Sequence, residues 1–330
     1  MTDPLRQGDI MRAVVTRRYG GPEVVEYADA PDPAPRSREL LIRVEAADLS
    51  TADAAFRAGT PFAARLFAGL RRPRMAILGA DFAGTVVSVG DAVTRFAVGD
   101  AVWGATGAAM GAHAELVRIH EEGAVALRPP TLTATDAASL VDATAMSFLR
   151  DTARLRAGER ILIHGASGAV GTAAVQLAVE MGAEVTAVCS GPRIALVREL
   201  GAVHAYDYRA VDVTTLPERY DVVFDVVGTV GYRRARGILT PTGRYLITVP
   251  TIGALAFHAL TLGSRGRRSR IAFTGLRRPA VVRADLEATS ALVSAGRIRA
   301  VVDGIYPYAN GRAAHEHVAR GKAGHVILTP

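Results

Sequence analysis

The segment Arg160-Ile-Leu-Ile-His164, followed by Gly165-Ala166-Ser167-Gly168-Ala169-Val170-Gly171, decides the fold. Its apolar centre predicts a short buried strand, and the Ala- and Val-rich run from Ala169 to Met181 predicts a helix. Between them, Ala166-x-Gly168-x-x-Gly171 stands where a dinucleotide-binding turn carries Gly-x-Gly-x-x-Gly. Such a turn presents backbone N–H groups at a helix N-terminus, where the macrodipole favours a pyrophosphate. Gly168 would let the backbone approach the phosphates, and Gly171 would let the helix pack on the strand. A lone Gly-rich hexamer is a weak signal. Its position between strand and helix makes it specific.

Working outward, strands and helices keep alternating. Strands are expected at Glu184–Val188, Asp221–Val227 and Gly243–Val249, with helices at Arg193–Leu200, Tyr232–Leu239 and Asp285–Ala295. The strands are nearly all apolar, which predicts a parallel sheet covered on both faces. Upstream, Met11–Thr16, Leu40–Ala46, Gly84–Gly90 and Asp100–Trp103 read as short strands punctuated by Gly and Pro, the pattern of a small β domain. Thr135 to Leu155 reads as helical, and the tail from Ile298 to Pro330 looks β-like again. The expected organisation is a β domain over 1–130, a dinucleotide-binding domain over 131–296, and a return to the first domain over 297–330.

Composition excludes several classes. The 330 residues, 49% hydrophobic and 22% charged, fit a globular protein of two domains. No apolar run is long enough to span a bilayer. Met1 to Ile10 is short and polar, with Asp3 and Asp9, and does not read as a signal peptide, so a cytoplasmic location is expected. Cys189 is the only cysteine, which excludes a disulfide framework and any zinc site built on three or four thiolates. The net charge of +7 comes almost wholly from arginine, since Lys322 is the only lysine. The runs Arg265–Arg270 and Arg71–Arg74 have no interleaved aromatics and no nucleic-acid module around them, so they read as solvated loops. An anionic cofactor accounts for the basic bias without a nucleic acid or membrane partner.

The residues after the second strand choose between cofactors. An NAD enzyme usually places Asp or Glu there for the ribose 2′-hydroxyl. Here the segment is Val188-Cys189-Ser190-Gly191-Pro192-Arg193, with no carboxylate. Ser190 could hydrogen-bond a 2′-phosphate and Arg193 could neutralise it, which favours NADPH.

Several motifs in fixed order then resemble the medium-chain dehydrogenase/reductase superfamily, in its zinc-free quinone-oxidoreductase-like branch. They are Tyr19-Gly-Gly-Pro-Glu-Val24, Leu78-Gly-Ala-Asp-Phe-Ala-Gly84, Val98-Gly-Asp100, His164–Gly171, Leu200-Gly-Ala202, Asp207-Tyr208 and Asp225-Val-Val-Gly228. The resemblance runs from about residue 11 to the C-terminus. It implies an α/β protein with a GroES-like β-barrel catalytic domain plus a doubly wound parallel-sheet Rossmann domain, assembled as a homodimer or homotetramer. Where the alcohol-dehydrogenase branch has a Cys and a His on catalytic zinc, this chain has Ser50 and Ala80, so the resemblance implies no metal. It also implies that Ser50 lies near the nicotinamide, as both a cofactor contact and a candidate catalytic donor. Thr144 matches a cofactor-contacting threonine, Arg193 and Tyr208 the adenosine-phosphate end, and Val227, Gly228 and Val249 the nicotinamide ribose. With Ala166, Ser167, Gly168, Ala169, Val170 and Ser190, these make up the expected cofactor site. The tyrosine that some relatives place over the substrate is missing, since the stretch reads Arg57-Ala-Gly-Thr-Pro-Phe62.

The expected chemistry is hydride transfer to an activated double bond in a small electrophile: an enone, an enoyl thioester or a quinone. Two other readings stand beside it, a metal-independent carbonyl reductase or alcohol dehydrogenase, and a non-catalytic NADPH-binding protein. Among other polar residues, Asp53 reads as a helix cap and His164 as a strand-end packing residue. His113 is weighed as a substrate contact, and His258 sits in an apolar stretch at an interface or the substrate mouth. His315 and His317 read as lacking an acidic partner.

Overall fold

The computed structural model describes residues 10–60, 62, 65–141 and 144–330. The expectation of no signal peptide therefore falls on Met1–Asp9, outside the described residues. So do Pro61 of the Arg57–Phe62 stretch and Asp142–Ala143 of the expected helix at 135–155. The described residues form two compact units, one made of those within 10–141, 275–294 and 299–330, the other of 144–274 and 295–298.

The first unit begins with β1 (Ile10–Thr16) and β2 (Val25–Pro31), an antiparallel pair. Then come β3 (Glu39–Asp48), α1 (Thr51–Ala58), α2 (Arg65–Ala68), β4 (Asp81–Val89), β5 (Ala101–Ala105), β6 (Leu116–His120), β7 (Ala124–Leu127) and α3 (Ala134–Leu140). β3 organises the unit. Its first half pairs with β6 and its last residues with a strand from the far end of the chain. From Leu40 to Ala47 it also pairs with β4 through two register shifts, which bend and twist the sheet. Seven of its ten residues are buried, which fits a central strand of the sheet.

The second unit opens with α4 (Thr144–Met146) and a π-helical turn, Ser147–Ala153. The single helix expected over 135–155 therefore does not hold: α3 ends at Leu140, and the turn widens to a π-helix after Met146. β8 (Arg160–His164), α5 (Ala169–Glu180), β9 (Glu184–Cys189), α6 (Ile194–Glu199), β10 (His204–Asp207), β11 (Tyr220–Asp225), α7 (Tyr232–Ala235), β12 (Leu239–Ile247), α8 (Ile252–Leu260) and β13 (Arg268–Ile271) follow. The sheet order β10-β9-β8-β11-β12-β13, parallel throughout, is the doubly wound arrangement. Its order reverses between β8 and β11. Tyr220, Tyr232, Tyr245, Leu239 and Ile271 anchor the core on one side.

The chain then returns to the first unit with α9 (Pro279–Ser294), β14 (Val302–Pro307), α10 (Gly311–Arg320) and β15 (His325–Thr329). β15 joins β3, so the β-like reading of the tail holds for its strands and misses α10. Residues 131–141 and 275–294, expected in the nucleotide-binding domain, pack with the first unit instead. Ala137, Ala138 and Val141 of the α3 segment and Leu286 of α9 bury against Ala46, Ala83, Trp103 and Ile327. That apolar surface is their partner, and helical periodicity does not say which sheet a helix covers.

Candidate active site

Each unit carries its own cluster of chemistry-bearing residues. In the second unit the cluster sits at the carboxyl ends of the strands, where the order reverses, the usual place for a ligand on an open α/β sheet. Gly165 adopts a left-handed φ of 84°, and a side chain there would run into Val227. Ala166 is fully buried, which explains a small residue at the position of the first fingerprint glycine. At Gly171 an added Cβ would come 2.1 Å from the Gly165 carbonyl, so helix and turn touch there. Gly168 differs. Its φ of −79° suits any residue, and an added Cβ would meet only the Gly165 oxygen, at 3.6 Å. The space in front of Gly168 is left open by the protein itself.

The first intrahelical bond of α5 runs from Thr172 N–H to the Gly168 carbonyl, at 2.8 Å. The amides of Ala169, Val170 and Gly171 precede it, and no side chain of Gly168 caps them. Half-buried Ser167 lies in the same turn. Ser190 and Arg193 bracket the short turn after β9, and Tyr208 follows β10, half exposed, its ring 6.4 Å from His164. Val227 and Val249 are exposed beside Gly228, whose φ is 81°, and a Cβ there would meet Val249 at 3.1 Å. Thr144 lies 3.3 Å from Thr274 through their hydroxyls. The strand ends thus bring together the turn, Ser190, Arg193 and Tyr208 on one side and Val227, Gly228 and Val249 on the other.

Two carboxylates here were quoted in the sequence only as parts of motifs, with no role assigned to them. Asp225, at the end of β11 opposite His164, is fully buried. It accepts from the amides of Gly228 at 2.8 Å, Val230 at 2.9 Å and Gly231 at 3.3 Å, and from the Tyr245 hydroxyl at 2.8 Å. Burial pushes its pKa up, but His164, whose Nδ1 is 3.4 Å away, Tyr245 and the Gly228 amide outweigh that and hold it below the usual range. Asp225 therefore fixes the loop that carries Val227 and Gly228. The second is Asp207, the last residue of β10, which pairs in register with Cys189. An added Cβ on Gly191 would lie 2.7 Å from its Oδ2. The Cys189 thiol is pushed up to about 11 by burial and by Asp207, with Arg193 pulling the other way. The segment after β9 has no acid in sequence, but the strand pairing brings Asp207 against Gly191.

In the first unit, Ser50 is the N-cap of α1. Its Oγ accepts from the Asp53 amide at 3.1 Å and donates to Asp53 Oδ2 at 2.6 Å, while Oδ2 also accepts from the Ser50 amide at 2.9 Å. The other oxygen of Asp53 takes the Gly79 amide at 3.0 Å, so Asp53 is the structural cap that was expected. The Ser50 proton is committed to this capping box. His113, buried beside Gly79, donates from Nε2 to the Asp48 carbonyl at 2.8 Å. The Asp48 carboxylate meets His325 Nδ1 at 2.9 Å. Burial raises its pKa, but Lys322, His325 and His113 together hold it low. His315 is driven down to about 3 by burial, with His113 and Arg57 adding to the effect, and is neutral. His317 does have the acidic partner that sequence reading denied it, Asp303 at 2.9 Å, with the Tyr306 hydroxyl on its other nitrogen at 3.0 Å.

This donor set does not fit zinc. Ala80 offers a methyl group, Ser50 is held by Asp53, and His113 turns its Nε2 to a backbone carbonyl. Among the described residues no group of three or more His, Cys, Asp or Glu is arranged to hold a metal ion.

Comparison with known proteins agrees with both units. Residues 36–129 match the alcohol dehydrogenase GroES-like domain, and residues 200–328 match the zinc-binding dehydrogenase family model. The chain is 33% identical to a quinone oxidoreductase of Pseudomonas aeruginosa, over 94% of this chain and 97% of that one. It belongs to the quinone-oxidoreductase-like branch of the medium-chain dehydrogenase/reductase superfamily. The solved quinone oxidoreductase of Coxiella burnetii superposes with a TM-score of 0.87 at 28% identity, covering 98% of this chain and all of that one. A chloroplastic NADPH-dependent alkenal/one oxidoreductase of Arabidopsis thaliana is 35% identical over 66% of this chain and 58% of its own length. The chain is thus an NAD(P)-dependent oxidoreductase with a GroES-like and a Rossmann unit. No helix among the described residues is long and apolar enough to cross a membrane.

Proposed function

We propose that this oxidoreductase is zinc-independent, prefers NADPH, and reduces a double bond conjugated to a carbonyl, as in an enone, an enoyl thioester or a quinone. The observation that carries the reading is the uncapped N-terminus of α5 at the switch point, fronted by the open space at Gly168. When bound, NADPH supplies the hydride. The Ala169, Val170 and Gly171 amides hold the pyrophosphate with Ala166, Ser167 and Gly168 shaping the turn. Ser190, Arg193 and Tyr208 bind the adenosine 2′-phosphate end. Val227, Gly228, Val249 and Thr144 line the nicotinamide end, on a loop that Asp225 keeps in place. Ser50 acts by fixing the start of α1, since its proton already belongs to Asp53.

A conjugated carbonyl suits a site without a Lewis acid. Its β-carbon is already electrophilic, and the developing enolate oxygen needs only hydrogen-bond donors. The alkenal/one and quinone reductases among the similar proteins support this substrate class. The same reading includes a cytoplasmic homodimer or homotetramer, to be checked by sedimentation.

Asp207 favours a second reading, NADH, because it sets a carboxylate against Gly191 where a 2′-phosphate would approach. Initial rates of NADPH and NADH oxidation with an enone, a quinone, an enoyl thioester and an aldehyde decide the matter. NADPH is expected to be preferred, the enone or quinone to turn over, and EDTA to leave the rate unchanged. Arg193→Glu should lower kcat/KM for NADPH by about 10- to 100-fold and for NADH far less, the size of a lost charge-assisted bond. Equal losses with both cofactors would remove Arg193 from phosphate recognition.

A further inference from the structure

Among the described residues, two that are not glycine have a positive φ. Arg154, at φ 52° and ψ 53°, sits in the left-handed helical well and closes the π-helical turn, a conformation open to ordinary residues at modest cost. Met110 is different. Its φ of 55° and ψ of −159° lie at the edge of a region essentially reserved for glycine. The loop around it already uses glycine where φ is positive, at Gly107 with 58° and at Gly111 with 100°. A third glycine would suit the backbone at position 110. The methionine that stands there is only half-buried, so packing gives little in return for the strain.

The strained loop is held from both ends. The Thr106 amide and hydroxyl both donate to the Ala80 carbonyl, at 2.8 and 3.2 Å. On the other side, the amides of Gly111 and His113 donate to the Leu78 carbonyl at 3.2 and 3.0 Å, and the Ala112 amide to the Gly79 carbonyl at 3.0 Å. The Gly79 amide is bound in turn by Asp53, the carboxylate that forms the capping box with Ser50. Residues 106–111 are therefore fastened to the same cluster as Ser50. Their outer side is open, since a Cβ on Gly107 or Gly111 would meet nothing within 4 Å. Ala108 and Ala109 are exposed, and Met110 is the one residue between those two glycines with a long side chain.

We infer that Met110 is a specificity-determining residue, whose thioether lies against the flat ring of a quinone-type substrate. A backbone conformation this costly persists where its surroundings over-determine it, and such residues gather at ligand sites. A thioether is unbranched and polarisable, so it packs well against a ring and offers little to a short acyclic enone. The inference rests on the reading of this chain as a reductase of conjugated carbonyls, and it narrows that class to ring-conjugated electrophiles.

The test compares the full chain with Met110→Ala and Met110→Gly. Both variants lack the side chain, and only glycine relaxes at this φ, so Met110→Gly should have the higher midpoint in urea denaturation. At saturating NADPH, the KM for 2-methyl-1,4-naphthoquinone should rise about tenfold in both variants, while that for but-3-en-2-one changes less than about twofold. Equilibrium dialysis of the quinone without cofactor should show the same loss of affinity. A lower midpoint for Met110→Gly than for Met110→Ala would remove the strain and overturn the inference. Equal losses with both substrates, no loss with either, or failure of the parent chain to bind the quinone would also overturn it. If the parent reduced neither compound and still bound the quinone in a Met110-dependent way, the proposed reaction would fall and the contact would stand.

Discussion

Three glycines of one turn have three different reasons to be glycine. Gly165 needs its positive φ, Gly171 needs the absence of a Cβ against the protein, and Gly168 has room for a Cβ that the protein does not fill. Substitution should separate these roles. In Gly171→Ala the new Cβ would collide with the Gly165 carbonyl and push it away, and a loss of about 1–3 kcal/mol is expected in urea denaturation. Gly168→Ala should leave the denaturation midpoint nearly unchanged and raise the KM for NADPH at least tenfold, by filling the approach to the α5 amides. If Gly168→Ala bound NADPH like the parent, the phosphate would not pass over that residue. Ser50 allows a similar separation. Removing its cap in Ser50→Ala should cost about 1 kcal/mol of stability and reduce turnover less than tenfold. Loss of turnover beyond a hundredfold at unchanged stability would make its hydroxyl the proton donor.

Among the elements, the loop after β11 depends on one buried carboxylate. In Asp225→Asn an amide NH₂ replaces one acceptor and faces the N–H and O–H donors that the carboxylate now satisfies, so about 1–3 kcal/mol should be lost at neutral pH. The folded pKa of Asp225 lies below its unfolded value. Its stabilisation is therefore complete above the unfolded pKa of about 3.9 and disappears as the pH falls through the folded value. The stability gap between parent and variant should close below about pH 4, and a gap independent of pH would mean that Asp225 is not charged in the folded state. Much at this scale was legible in the sequence. The turn, the strand and helix around it, the alternation that follows and the capping role of Asp53 all rest on local pattern, and they stand as expected. What was not legible depends on pairing. Asp207 comes to Gly191 across a strand pair, Asp303 comes to His317 from strand to helix, and β13 is an Arg-rich edge strand without the apolar signature of its neighbours. Helices α3 and α9 were assigned to the wrong unit because an apolar helical face says that it is buried, and not against what.

For the whole molecule, charge is the property that reaches furthest. A net +7 carried by arginine attracts an anionic dinucleotide over distances that salt can shorten. Between ionic strengths of about 0.01 and 0.15 M the screening length falls from roughly 30 to 8 Å. Over that interval kcat/KM for NADPH should fall several-fold while that for an uncharged enone stays within twofold. A salt effect of the same size on both would point to a conformational cause.

The closure of the first unit has a temporal consequence. β15 joins β3 in one sheet, and His325 completes the pairing of Asp48 although the two residues are 277 positions apart in the chain. At ordinary rates of synthesis, about 5–20 residues per second, the second partner leaves the ribosome roughly 15–55 s after the first. In that interval the nucleotide-binding unit, whose strands are contiguous from β8 to β13, emerges whole. The end of β3 and the buried Asp48 must wait with an open edge. A nascent chain stalled just before β14 should therefore show protease resistance over 142–274 and cleavage within 10–130, making the last-made strands the step at which this protein is most exposed to chaperones.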